Sequence, residues 1–356
     1  MTAPLRGDFR SKLDDSMQRL AAIPRAREDA VHVALREVFA NRDARDFIPI
    51  SGGVSGALIY RFAVEDRLYV LRIEPERIAL ADRQRGFECM LSASQVGAAP
   101  SVHYADAGTG IAIMNFVAGR PLSEHPDGPM GLANGLGALV ARLQTAASFP
   151  SIGNYPDAIV KMLDDVRGSQ LLVSDQWNRC AEGLSRIRAA LPWDTSSLVP
   201  CHNDPNPRNI LFDGERLWLV DWELAFQNDR LVDLAILTTD IAEGPELEDA
   251  VLTAALGSKL TPELRARLLL IRQLTRLFYG CVVLQSLAVE LPSIQHDGKA
   301  HLTPEAFRLG VEEGLWKPGS PEIACAFAKM SLTAFSDASV SSMFDKALNL
   351  VRGGAS

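Results

Sequence analysis

The sequence predicts an α+β fold, a smaller β-rich part followed by a larger, mainly helical one. Three observations predict it. Strand-like runs punctuated by glycine turns cluster between Phe47 and Phe116. Helical periodicity dominates beyond Gly119-Arg120-Pro121-Leu122. Within that helical part a single short stretch, Val199–Glu223, returns to strand character. The 356 residues suffice for one large domain or for two lobes with substantial cores, and 47% hydrophobic with 22% charged residues describes a folded chain.

Taken in order, residues 1–45 are charged and helix-prone. Val31, Val33, Leu35, Val38 and Phe39 predict a helix over Glu28–Asn41 that packs on the small lobe. The small lobe spans residues 46–116. In it the runs Ala57–Val64 and Leu68–Ile73 join at Glu65-Asp66-Arg67, behind the turn Ser51 to Gly56. Gly52, Gly53 and Ser55 in that turn would let the backbone approach the phosphates of a nucleotide. No G-x-x-x-x-G-K-[ST] run is present, which disfavours a P-loop. A helical segment, Arg83–Ala93, breaks at Val96–Pro100, and strands near Ser101–Ala105 and Ile111–Phe116 flank Gly108-Thr109-Gly110. Residues 117–356 form the helical lobe, with helices predicted at Leu136–Leu143, Ala158–Gly168, Asp175–Leu191, Pro262–Glu290 and Pro321–Arg352. The acids of Glu243–Asp249 mark a helix start, where the helix dipole favours negative charge.

Composition narrows the partners. A formal net charge of −8 argues against a broad nucleic-acid or anionic-membrane surface. Five cysteines without a C-x-x-C pair suggest reduced thiols in the cytoplasm. The first twelve residues lack the apolar run of a secretory signal. The longest apolar stretch, Leu268–Leu291, is interrupted by Arg272, Gln273, Arg276 and Gln285, and so predicts a core helix and no membrane span.

Chemistry concentrates in Val199–Glu223. Ile210-Leu211-Phe212 and Leu217–Val220 flank a turn at Asp213-Gly214, which reads as a β-hairpin. Asp204 and Asn209 stand before it and Asp221 immediately after, so all three are delivered to one end, where they could converge on a metal-bound phosphate. Phosphoryl transfer asks the protein for positioning, Mg²⁺ and a carboxylate that orients the attacking hydroxyl. Asp204 fits the last role, and Asn209 and Asp221 are hard oxygen ligands of the kind Mg²⁺ prefers. His202 would orient the loop, and Asp233 would cap a helix or brace the loop.

His202-Asn203-Asp204 with Asn209, then Asp221-Trp222-Glu223 and Val232-Asp233-Leu234-Ala235, resemble the aminoglycoside phosphotransferase and choline kinase family over roughly Ile48 to Tyr279. The resemblance implies a two-lobed, protein-kinase-like fold, a small lobe on an antiparallel sheet and a larger, mainly helical one, with MgATP, or MgGTP, between the lobes, and transfer of the γ-phosphate to a hydroxyl of a small acceptor. It also implies that Arg72 meets the nucleotide phosphates and pairs with Glu88. Met114, Asn115, Phe116 and Val117 would form the hinge whose backbone binds the adenine edge, with Met114 lining the base. Gln144 stands where family members commonly carry a histidine. Arg72 and Asp-Trp-Glu suggest a choline- or ethanolamine-like amino alcohol; an aminoglycoside or sugar is the other acceptor class. Phe278, Tyr279, Trp222 and Trp316 are the aromatics available to cage a cation. Glu223 is open between a second metal, the acceptor and a structural role. No Ala-Pro-Glu motif follows Asp221, which disfavours protein substrates. A catalytically inactive nucleotide-binding scaffold and a metal-dependent hydrolase using His202, Asp204 and Asp221 are the competing readings. The chain is expected to act as a monomer or homodimer.

Overall fold

The N-terminal sheet is antiparallel throughout. Strands β1 (Ala44–Pro49), β2 (Leu58–Val64), β3 (Arg67–Ile73), β4 (Val102–Asp106) and β5 (Ile111–Asn115) pair antiparallel in the order β1-β2-β3-β5-β4. The computed structural model describes residues 23–40, 42–50, 56–78, 80–168, 174–257, 260–290 and 301–353. On β3, Tyr69, Leu71 and Ile73 point to one face, where they pack with Phe62, Phe47, Val31, Ala34 and Phe39. The last three belong to helix α1 (Arg25–Phe39) and Phe47 to β1, so the helix expected on the small lobe covers this sheet face. Alternation then sends Val70 and Arg72 to the opposite face, toward the helical part. Strand β1 escaped prediction for a visible reason: Phe47 alone is buried, and a bulge between Arg45 and Ile48 interrupts the alternation.

Helix α2 (Leu80–Gln95) links β3 to β4. The remainder is mainly helical: α3 (Gly128–Leu143), α4 (Tyr155–Gly168), α5 (Ser174–Ala190), α6 (Val232–Asp240), α7 (Pro245–Leu256), α8 (Pro262–Glu290), α9 (Pro304–Glu312), α10 (Pro321–Ser339) and α11 (Ser342–Gly353). One helix expected over Pro321–Arg352 is therefore two. The chain turns at Val340-Ser341, and the Ser341 hydroxyl accepts from Phe344 N at 3.2 Å, capping the second helix. Gly137 lets α3 lie directly on α7, since a Cβ there would sit 2.3 Å from Val251 O. Helix α8 has the length and hydropathy of a membrane span over Pro262–Leu287, but most of that window is buried inside the protein, as the sequence reading of a core helix requires.

Two small ladders interrupt the helices. Strands β6 (Val199–Cys201) and β9 (Phe226–Asn228) pair antiparallel, while β7 (Ile210–Phe212) and β8 (Leu217–Leu219) form the expected hairpin, Ile210 opposite Leu219. Gly214 turns it at φ +103°. Because Cys201 pairs with Phe226, the loops that follow β6 and precede β9 are forced side by side.

Candidate functional site

Those two loops hold the chemistry, and α6 fixes them. Asp233, fully buried in its first turn, accepts from His202 N at 2.9 Å with one carboxylate oxygen and from Asn203 N at 2.7 Å with the other. Asn203 adopts φ +62°, a left-handed conformation that asparagine tolerates. Its amide donates to Leu224 O (3.0 Å) and Phe226 O (3.2 Å) and accepts from Asn228 Nδ2 (2.8 Å), tying the loops together. His202 is buried against Trp222. Burial lowers its pKa to about 4, so the ring is neutral, and Nε2 donates to Val220 O at 3.0 Å. Of the two roles open to Asp233, the structure shows the brace. Asp233→Ala should strip the acceptors from two buried N–H groups and cost roughly 2–4 kcal/mol. Denaturant unfolding checks this; an unchanged midpoint would remove the brace.

Asp204 sits in this frame with both carboxylate oxygens engaged. Oδ1 accepts from Asn206 Nδ2 and from Tyr279 Oη, each at 2.8 Å. Oδ2 accepts from Asn209 Nδ2 at 3.0 Å, and the same amide reaches the main-chain oxygen of Asp204 at 2.9 Å. Burial raises the Asp204 pKa to about 6 and the Asp221 charge adds to it, while the donors from Asn206, Tyr279 and Asn209 pull it back.

Asn209 accepts from Val220 N through its main-chain oxygen at 3.0 Å, which sets Asp221 one residue beyond. Asp221 has φ +70°. Its Oδ1 meets Arg72 Nη2 at 3.0 Å, and the same nitrogen reaches Glu223 Oε1 at 2.6 Å. Arg72 Nε binds Glu74 Oε1 at 2.6 Å. The sequence-predicted Asp204, Asn209 and Asp221 thus stand on adjoining loops, joined through Val220 and Asn209, with Arg72 above them.

Other expectations change. Glu88 is not a partner of Arg72; it is exposed on the outer face of α2 and accepts from Gln84 of its own helix at 2.9 Å. Arg72 is neutralised instead by Glu74, two residues further on the same face, and by Asp221 and Glu223 from the loop after the hairpin. At the hinge, Asn115 N donates to Ser101 O (2.9 Å) and Phe116 N to Leu68 O (3.1 Å), so neither N–H is available to an adenine edge. Met114 is nearly buried in the core beside Val70, and Val117 is half-buried just past the sheet. Gly52, Gly53 and Ser55 lie outside the described residues. Gln144, in the histidine's place, donates to Arg230 O at 2.9 Å.

Trp222 and Phe278 are buried core and cannot line a cage. Tyr279 and Trp316 are half-buried and belong to a row of rings, Tyr279–Phe327–Phe307–Trp316, with centroids 6.4, 6.1 and 5.5 Å apart. Asn206 and Glu74 were missed although spacing could have found them, at Asp204 plus two and Arg72 plus two. Tyr279 carried no such signal as a partner of Asp204, 75 residues away.

The donor set can be tested against Mg²⁺. Among the described residues no three His, Cys, Asp or Glu side chains form a metal cage. Mg²⁺ bound with a nucleotide needs none: one or two protein oxygens serve, with phosphates and water completing the shell. Asn209 spends its amide nitrogen on Asp204, which leaves its Oδ1 for a cation, and Asp221 offers a second oxygen of the same hard type. The residues fit.

A family model described as the phosphotransferase enzyme family matches residues 46–269. Protein LicA of Haemophilus influenzae is 40% identical over 55 residues, 15% of this chain and 21% of LicA, so the chain aligns with about a fifth of that relative's length. Among solved structures, a choline/ethanolamine kinase family protein from Mesorhizobium loti is similar at TM-score 0.64 and 22% identity, covering 92% of this chain and 100% of that one. A macrolide 2′-phosphotransferase from Brachybacterium faecium is similar at TM-score 0.54 and 17% identity, over 74% of this chain and 94% of that one. At these identities the two structures bear on the fold, which is the protein-kinase-like α+β architecture expected from the sequence.

Proposed function

We propose that this chain, which belongs to the phosphotransferase enzyme family, moves the γ-phosphate of ATP to a hydroxyl of a small cationic amino alcohol of the choline or ethanolamine kind. The observation that carries the reading is the union of Asp204, Asn209 and Asp221 on adjoining loops, with Asp204 hydrogen-bonded to Asn209. Asp204 orients the acceptor hydroxyl and takes its proton as the acceptor oxygen bonds to phosphorus and the bond from phosphorus to the β-γ bridging oxygen breaks. Asn209 and Asp221 would hold Mg²⁺, which when bound would offset charge on the phosphates. Arg72 shifts part of its fork from Asp221 and Glu223 to phosphate oxygens, geometry for which a guanidinium is suited.

The acceptor's charge is argued from its surroundings. Asp240, at the C-terminal end of α6, has its pKa raised by the protein around its carboxyl and by the charge of Asp204, with Arg276 opposing. Asp204 raises the pKa of Asp240, and both carboxylates act on the hydroxyl of the half-buried Tyr279, so a cation beside that ring would relieve repulsion. Choline and ethanolamine kinases among the structural relatives support the same class. The intact Asp204, Asn209 and Asp221 set argues against an inert scaffold. The test is ADP release from MgATP across choline, ethanolamine, an aminoglycoside, a simple sugar and a nucleoside. Stimulation by the amino alcohols alone supports the reading; stimulation only by neutral acceptors overturns the charge argument.

A pH dependence follows. The working form of Asp204 is the carboxylate, and its pKa is raised to about 6. With ionised MgATP held constant, kcat/KM should be level above pH 7 and fall about tenfold per pH unit below 6. A limb near pH 4, the ordinary carboxylate range, would contradict the burial of this group.

A further inference from the structure

We infer that Tyr279 is a positioning residue for phosphoryl transfer: with Asn206 it saturates Oδ1 of Asp204 and so assigns Oδ2 as the oxygen that receives the acceptor's proton. The inference rests on the kinase reading above. An ionised carboxylate offers about two lone-pair directions at each oxygen. Oδ1 has both filled, by Asn206 Nδ2 and Tyr279 Oη at 2.8 Å each. Oδ2 has one filled, by Asn209 Nδ2 at 3.0 Å. The remaining direction at Oδ2 is the one an acceptor hydroxyl can use, and it lies on the oxygen already bonded to Asn209, the residue assigned to the metal. Nucleophile and phosphate are thereby referred to one side of the carboxylate.

Tyr279 differs from Asn206 in where it comes from. Asn206 belongs to the same loop as Asp204 and moves with it. Tyr279 stands in the middle of α8, held between Phe278 and Phe327 by edge-on ring contacts, and α8 packs against α4, α6, α10 and α11. Its hydroxyl ties the catalytic carboxylate to the rigid helical part. The Asn203 main-chain oxygen lies 3.2 Å from the same hydroxyl, so its one proton goes to the nearer and charged partner. Burial and the neighbouring Asp204 push the phenol well above its ordinary range, which keeps it a donor.

Without that hydroxyl the carboxylate can turn about its Cβ–Cγ bond, exchanging Oδ1 and Oδ2, and the acceptor loses a fixed partner. A misplacement of this kind lowers turnover by about 10- to 100-fold. The experiment compares Tyr279→Phe with Tyr279→Leu, beside wild type and Asp204→Asn, using choline and ethanolamine as acceptors. Where neither is turned over, slow MgATP hydrolysis serves, with water as the acceptor. Tyr279→Phe keeps the ring and loses only the hydroxyl. It should lower kcat by about 10- to 100-fold with the KM for MgATP and the melting temperature unchanged, and Tyr279→Leu should lose thermal stability as well. Wild-type kcat in Tyr279→Phe overturns the inference and leaves a packing role. A parallel fall of kcat and melting temperature in the Phe variant overturns it too. Full activity in Asp204→Asn would instead overturn the kinase reading itself.

Discussion

Replacing Asp204 with alanine is expected to lower kcat by about 10²- to 10⁴-fold and leave MgATP affinity within a few fold of wild type. Both halves come from the same hydrogen bonds. Alanine removes the carboxylate that takes the acceptor's proton, and with it the partner of Asn206, Tyr279 and Asn209. Asn209, however, also bonds the main-chain oxygen of residue 204 at 2.9 Å, which alanine keeps. The oxygen offered to the metal therefore stays placed, as does Asp221, whose anchor runs through Val220 and Asn209. The loop does not depend on Asp204 for its shape either, since Asp233, Asn203 and Asn228 hold it. Turnover measured beside nucleotide titration decides the matter. Undiminished turnover would end the assignment of Asp204 as the catalytic carboxylate, and a matching loss of nucleotide affinity would move it to the metal set.

How much of this was legible depended on sequence distance. Asp204, Asn209 and Asp221 were readable because one hairpin carries them all, and hairpin geometry is local. Arg72 was readable through the family resemblance, as the basic residue near the end of a strand in the small sheet. Its partner was not found, because the family resemblance directed attention to helix α2 and Glu88. The strand's own period of two puts Glu74 on the face of Arg72, and that pattern was in the sequence. Asp233 was weighed between cap and brace, and only the fold settles it, since His202 and Asn203 are 31 and 30 residues away. Tyr279 lies at the far limit: an apolar helix gives no sign of which side chain will reach a loop. Strand β1, with Phe47 alone buried and Asp46 at φ +60°, has no alternation to read.

Asp221→Asn should abolish the gain in nucleotide affinity that Mg²⁺ provides, a loss on the order of a hundredfold, and leave Mg²⁺-free nucleotide binding equal or slightly tighter. Asparagine is the informative substitution because it tolerates the left-handed backbone at this position, φ +70°, where a β-branched residue would add strain of its own. The shape of the loop persists and the charge is lost. Arg72 keeps Glu74 and Glu223 as partners, so the strand side of the cleft remains neutralised. One negative charge fewer beside the phosphates cannot weaken binding of free ATP, which separates a metal role from a general disturbance of the site. Affinity for ATP measured with Mg²⁺ and with a chelator, in wild type and variant, gives the four numbers required. If the Mg²⁺-dependent gain survives, the metal's acid is Glu223, which shares the same Arg72 nitrogen, and Asp221 serves to place that arginine.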